Sequence, residues 1–206
     1  MGSRIMHYCI ASLLADKLDI KNRDNFMLGG IAPDIHRLMG VSKDVTHFKD
    51  PDDHGGSRIN YVRFYTMYRD VMKNQPFYLG YLCHLISDVV YLDTYFKIVP
   101  YSVFAEQWTE KLQASYRDFG RLNGRIIKQY ALTLCNHAVP SVSIQGYNAD
   151  YIPALLREVR NDFEINDALM LEPLEIFNDD NSEITDYIRK SVERSIEFLS
   201  SVGIPS

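Results

Sequence analysis

The chain has 206 residues, of which 46% are hydrophobic and 24% charged, a size and composition that suit one compact globular domain. Its 22 basic and 27 acidic residues give a net charge of -5, which offers no general attraction to nucleic acid or to an anionic membrane. The composition also excludes a disordered chain, a collagen-like repeat and a disulfide scaffold.

The predicted elements are almost all helical, because apolar residues recur with a helical period along most of the chain. In the first half they are a helix over residues 4–17, a short helix ending at Gly29 or Gly30 before a turn at Pro33, a loop over 40–57, and helices over 57–73 and 76–98. In the second half, a long helix is predicted over 102–134, bent at Gly120 or Gly124, and a loop follows over 138–149. A helix is then predicted over 151–167. The last helix covers 181–199 and begins with a capping box of Asp180 and Glu183.

The segment 141–144 alternates like a strand, but four residues within a loop do not predict a sheet. We therefore expect an all-α fold, with residues 1–206 forming a single-domain multi-helix bundle.

The N-terminal segment and the cysteines favour a cytoplasmic protein. The apolar residues near the N-terminus are too few and too interrupted for a signal peptide, and no apolar run reaches the roughly 18 residues of a membrane-spanning helix. Cys9, Cys83 and Cys135 are far apart and lie among apolar neighbours, so we expect buried, reduced thiols rather than zinc ligands.

The segment 79–92 is apolar except for three polar side chains, His84, Ser87 and Asp88. A helix that is apolar on all sides is typical of a central, buried position. His84 and Asp88 are four residues apart and so share one face of that helix. Because an unpaired buried carboxylate is very costly, they either satisfy each other and nearby backbone or bind a cation.

Three further residues favour the cation. His7 is in register with the apolar face of the first predicted helix, His47 lies between a threonine and a phenylalanine, and Asp34 follows a rigid Ala-Pro turn. Taken singly, they suit a core histidine, a surface histidine and a helix cap. Taken together with His84 and Asp88, they form a donor set of imidazole and carboxylate that suits zinc or a similar divalent ion.

The sequence here resembles the zinc-dependent phospholipase C family, whose fold is shared with single-strand-specific zinc nucleases. Four segments carry the resemblance, in this order: MHYCIA at 6–11, GGIAPD at 29–34, THF at 46–48 and LGYLCHLISD at 79–88. The last is the most specific. The later segment DFGRLN at 118–123 is similar to a stretch of small bacterial members.

This resemblance implies a mostly helical fold with one or two zinc ions in a cleft. Asp34, His47, His84 and Asp88 would bind one zinc, and His7 would bind a neighbouring metal that Asp88 bridges. The family's third metal uses a further pair of histidines, whereas only His137 follows Asp88 here. A complete third site is therefore not expected, and Asp118 and Asp93 are candidate substitute ligands.

The implied activity is hydrolysis of a phosphoester or phosphodiester by a metal-activated water. Asp34 is the candidate catalytic base, while Arg37 and the loop residue His54 are candidates for contact with substrate or metal. The expected substrate is a small phosphoester or a phospholipid-like molecule. Two alternatives stay open: a helical interaction domain that keeps a structural metal, and a phosphohydrolase of the HD type, which needs an adjacent His-Asp pair that this sequence lacks.

Overall fold

A computed structural model describes residues 2–53, 56–98, 105–135 and 138–204. Its helices, in chain order, are α1 (Arg4–Lys17), α2 (Arg23–Gly29), α3 (His36–Met39), α4 (Lys43–Thr46), α5 (Tyr61–Met72), α6 (Pro76–Ile98), α7 (Ala105–Gln129), α8 (Ile152–Asp162), α9 (Asp167–Met170) and α10 (Ser182–Ser201). Two short 3₁₀ turns, Ala32–Ile35 and Ala149–Tyr151, lead into α3 and α8. The all-α expectation is confirmed.

Helix α6 is the centre of the fold, as its apolar sequence predicts. Every residue from 77 to 88 is buried, and helices α1, α2, α5 and α10 all pack against it. Pro76 lies at its first position, where the missing N–H of proline costs no hydrogen bond. The polar side chains of His84, Ser87 and Asp88 are therefore buried in the protein interior together with the helix that carries them.

Helices α2 and α6 cross with their backbones in contact at two glycines. A Cβ atom at Gly29 would lie 2.0 Å from the carbonyl oxygen of Phe77, and one at Gly80 would lie 2.0 Å from the carbonyl oxygen of Phe26. Only glycine permits this approach at either position. The crossing fixes the turn after α2, which carries Asp34, relative to the segment of α6 that carries His84 and Asp88.

The loop predicted over residues 40–57 is more ordered than expected. It contains α4 and a two-stranded antiparallel sheet of β1 (Lys49–Pro51) and β2 (Ser57–Ile59), with Lys49 opposite Ile59. As a result, α5 begins at Tyr61 rather than at Ser57. Strands of three residues are too short to produce a detectable alternation, which is why the sequence did not indicate them.

The capping box predicted for the last helix is wrong. Asn181, in a left-handed conformation with φ of 59°, is the N-cap residue of α10. The Asp180 carboxylate instead accepts a hydrogen bond from the backbone of Ser182, and that of Glu183 accepts one from Asn178. No helix among the described residues is long and apolar enough to cross a membrane.

Candidate metal centre

Five side chains from four separate elements meet beside α6. His7 comes from α1, Asp34 from the 3₁₀ turn after α2, and His47 from the residue that ends α4. His84 and Asp88 come from α6 itself. The three histidines and Asp88 are at most 2% exposed, whereas the Asp34 side chain keeps 11% of its surface accessible.

Asp88 lies between the histidines, with one carboxylate oxygen on each side. Its Oδ1 is 3.2 Å from His7 Nε2, and its Oδ2 is 3.3 Å from His47 Nε2 and 3.6 Å from His84 Nε2. Asp34 Oδ1 is 3.7 Å from His47 Nε2. Asp88 therefore places one oxygen beside His7 and the other beside His47 and His84.

The other nitrogen of each imidazole is held by an oxygen acceptor. His84 Nδ1 donates to the carbonyl of Gly30 at 2.8 Å, and His47 Nδ1 donates to that of Lys43 at 3.2 Å. His7 Nδ1 lies 2.9 Å from Ser87 Oγ, whose own hydroxyl proton is donated to the carbonyl of His84. These partners place a proton on every Nδ1 and leave a lone pair on every Nε2.

The imidazole lone pairs and the carboxylate oxygens therefore face one another, and none of these atoms carries a hydrogen to donate. His7 Nε2 and both oxygens of Asp88 are buried and have no hydrogen-bond partner. Buried polar atoms are rarely left in this state, because each one loses the water that would solvate it. Orphaned imidazole nitrogens and carboxylate oxygens that converge on one space are the donor set that a divalent cation needs.

The pKa values of the groups agree with this assignment of protons. Burial lowers the pKa of His47 to about 3, and burial and the neighbouring His84 lower that of His7, so both rings are neutral at pH 7. Burial acts to raise the pKa of Asp34 and of Asp88, but Lys43 and the neighbouring histidines together outweigh it and hold the pKa of both carboxyls below the usual range. Neutral imidazole and ionised carboxylate are the forms that bind metal.

Two overlapping sets of three ligand atoms are close enough to hold an ion. One consists of His47, His84 and Asp88, and the other of His7, Asp34 and His84; within each set the atoms lie within 4.8 Å of one another. The first set falls within the four ligands implied for one zinc. The second brings His7 together with Asp34 and His84, two of the residues implied for the other ion.

The local sequence explains how His47 reaches the centre. The next residue, Phe48, has a left-handed backbone with φ of 49°, which costs about 1–2 kcal/mol for a residue other than glycine. Its ring packs against Phe64 and Tyr81 in an aromatic cluster, and the Tyr81 hydroxyl donates to the carbonyl of Thr46. This sharp turn directs Phe48 into the core and leaves His47 beside α6.

A cleft of about 380 Å³ opens next to the centre, and Asp34 is the one of the five side chains that lines it. Arg37, predicted to contact substrate, also lines the cleft, with its guanidinium 5.7 Å from the centre of the Tyr116 ring. Lys43 lines it as well, with Nζ 3.7 Å from Asp34 Oδ1. Sequence reasoning did not single out Lys43, although it stands one helical turn before His47.

Asp118 lies elsewhere, and its surroundings do not support the prediction that it supplies a further metal ligand. Its buried carboxylate accepts hydrogen bonds of 2.7–3.3 Å from the backbone N–H groups of Glu175, Ile176 and Phe177, and one of 2.9 Å from Arg121. Both oxygens are therefore occupied in holding the segment before α10. His54 and His137 lie outside the described residues.

The last residue of the segment 118–123 is linked to the N-terminal end of α1. Asn123 Oδ1 accepts a hydrogen bond of 2.9 Å from Ser3 Oγ, and Ser3 caps α1 by accepting from the backbone of Met6. This pair joins α7 to the start of the helix that carries His7. No pattern in the sequence indicated that contact.

Comparison with known proteins agrees with the resemblance. Residues 6–91 match a family model described as zinc dependent phospholipase C, and that stretch contains all five side chains of the centre. Searches of curated proteins and of solved structures found no match.

Proposed function

We propose that this protein is a metal-dependent phosphoester hydrolase, because residues 6–91 match the model of the zinc-dependent phospholipase C family. Its proposed ligands are His7, Asp34, His47, His84 and Asp88. The observation that carries the proposal is the convergence of three imidazole lone pairs on a buried, unpartnered Asp88. Such a donor set, free of thiolates, suits one or two zinc ions with a position left for water.

When bound, a divalent ion would polarise a phosphoryl oxygen and lower the pKa of a bound water. Asp34 is the proposed acceptor of the proton from that water, because it is ionised and is the member of the centre that faces the cleft. Asp88 and the three histidines would hold the metal, while the carbonyls of Gly30 and Lys43 fix the orientation of two of the rings. Arg37 and Lys43 line the cleft beside Asp34, where their charges would attract an anionic small or lipid-like phosphoester.

Elemental analysis of protein purified without added metal is the first test. We expect zinc or another divalent transition metal at one to two ions per chain. Protein that contains no such metal and takes none up on titration would contradict the proposal.

A panel of phosphomonoesters and phosphodiesters then tests catalysis. Asp88→Asn and His84→Ala should lose metal and reduce turnover by more than about 100-fold, since even the outer partners of metal ligands contribute 10–100-fold. Asp34→Asn should reduce kcat by about 100-fold or more while retaining part of the metal. Asp93→Asn is the matched control and should retain both properties, because Asp93 is exposed on the same helix α6 and belongs to neither set of converging ligand atoms. Bound metal without turnover of any phosphoester would instead favour the structural-metal alternative.

A further inference from the structure

The charges that line the cleft are not balanced. Arg4, Arg37 and Lys43 are its basic residues, and Asp34 and Asp162 are its acidic ones. Arg4 is neutralised, because Asp162 binds it through two hydrogen bonds of 2.7 and 3.2 Å and Glu158 lies 2.8 Å from its third nitrogen. Its charge is therefore unavailable to a ligand.

Arg37 and Lys43 are the basic residues that remain. Arg37 is exposed and contacts the face of Tyr116, and no ion pair involves it among the described residues. Lys43 has Asp34 as its nearest carboxylate, at 3.7 Å, which is beyond hydrogen-bond distance. The Asp34 carboxylate is itself a proposed metal ligand, and a bound divalent ion would more than cancel its charge.

With metal present, the part of the cleft that Arg37 and Lys43 line thus carries a net positive charge. We propose that it selects phosphoesters whose remaining portion carries a second negative charge, and discriminates against those with a cationic group there. This inference rests on the proposed function and adds the substrate class to it. Arg37 and Lys43 are the specificity-determining residues, since no carboxylate among the described residues lies within hydrogen-bond distance of either cation.

Two non-hydrolysable phosphonates of similar size make the test independent of turnover. Phosphonopropionic acid offers a carboxylate beside its phosphonate, and aminoethylphosphonic acid offers an ammonium in the same place. Their dissociation constants for the zinc-loaded protein are measured by calorimetry. We expect the carboxylate compound to bind about tenfold tighter, the equivalent of one partly exposed ion pair together with one avoided repulsion.

The variants Arg37→Met and Lys43→Met should each reduce this preference, and the double variant should abolish it while binding of the ammonium compound is unchanged or improved. Arg69→Met removes one exposed positive charge of α5 that does not line the cleft, and should leave the preference intact. Metal content is measured for every sample, so that a variant that loses zinc is compared at matched occupancy.

The results separate the two proposals. Protein that binds no zinc contradicts the proposed function. Zinc-loaded protein that binds both phosphonates equally, prefers the ammonium compound or binds neither overturns the inference about the cleft and leaves the metal centre standing. A preference that survives in the double variant would also overturn it, because another group would then be responsible.

Discussion

The Nε2 atoms of His47 and His84 face each other at 3.3 Å, although the Nδ1 atom of each ring donates to a backbone carbonyl. Two lone pairs at this distance repel unless a positive charge lies beside them. Burial lowers the pKa of His47 to about 3, so a proton does not supply that charge at neutral pH. A metal ion held by both rings and Asp88 would resolve the conflict.

Replacing Asp88 by asparagine should separate stability from metal binding. The asparagine amide can donate to the Nε2 of His7 or His47, which lie 3.2 and 3.3 Å from the carboxylate in the native protein. In the metal-free state we therefore expect Asp88→Asn to stay folded, with a free energy of unfolding within about 2 kcal/mol of that of the native protein. Added zinc should raise the melting temperature of the native protein and leave that of the variant unchanged. Equal stabilisation of both by zinc would show that Asp88 is not a ligand.

The metal-free protein should lose stability in mild acid. His47 takes up a proton at about pH 3 in the folded state but near its ordinary 6.5 when unfolded, so the unfolded chain binds the extra proton between these values. The stability contributed by the neutral ring is complete above pH 6.5 and declines as the pH falls toward 3. Below about pH 4 the depressed pKa values of Asp34 and Asp88 act in the same direction.

Chelator-treated protein unfolded by urea at pH 7, 6, 5 and 4 measures this dependence. His47→Gln, which does not titrate, should show a shallower decline over the same range. A free energy of unfolding that stays constant from pH 7 to 4 would rule out a buried neutral imidazole at this position.

The helix crossing at Gly80 should tolerate no side chain. A Cβ atom there would meet the Phe26 carbonyl at 2.0 Å, and backbone cannot move aside as a flexible side chain would. We expect Gly80→Ala to cost about 3 kcal/mol or more in the free energy of unfolding and to reduce metal affinity, because α2 and α6 must separate. Gly120→Ala, within helix α7, is the control. A Cβ atom there would lie 3.6 Å from the Leu169 side chain, an ordinary contact distance. It should add about 0.5–1 kcal/mol of stability.

Asp118→Ala should destabilise the protein without removing metal. Three backbone N–H groups and Arg121 lose their common acceptor, which should cost about 3–5 kcal/mol in chemical denaturation. Zinc content of the folded variant should equal that of the native protein. A folded Asp118→Ala variant that has lost zinc would restore this residue as a candidate ligand.

The sequence predicted best the elements whose signals are local. The bounds of α1 and α6 agree with the predicted ranges, because a continuous apolar pattern runs through both and proline begins the second. The position of Asp34 after the Ala-Pro turn was also readable. The hairpin of β1 and β2 was missed because strands of three residues carry no period, and their pairing depends on contacts such as Asn60 with Asp50.

Inward orientation of His7 followed from helical register, and the structure buries it. The role of Asp118 could not be predicted from the sequence. An acidic residue on a helix has the same neighbours in sequence whether its carboxylate binds metal, water or backbone amides. Only the fold reveals that residues 175–177 present their N–H groups to it. Lys43 was overlooked for the same reason, since its effect on Asp34 depends on how α4 packs against the turn before α3.

The five side chains of the centre are spread between residue 7 and residue 88 and belong to four elements. An ion bound by them would join distant parts of the chain as a covalent cross-link does, and would close long loops whose entropy the unfolded state otherwise retains. Cys9, Cys83 and Cys135 form no disulfide that could do so. Loss of the ion should then lower the free energy of unfolding, so that metal supply would govern how readily the protein opens to proteases.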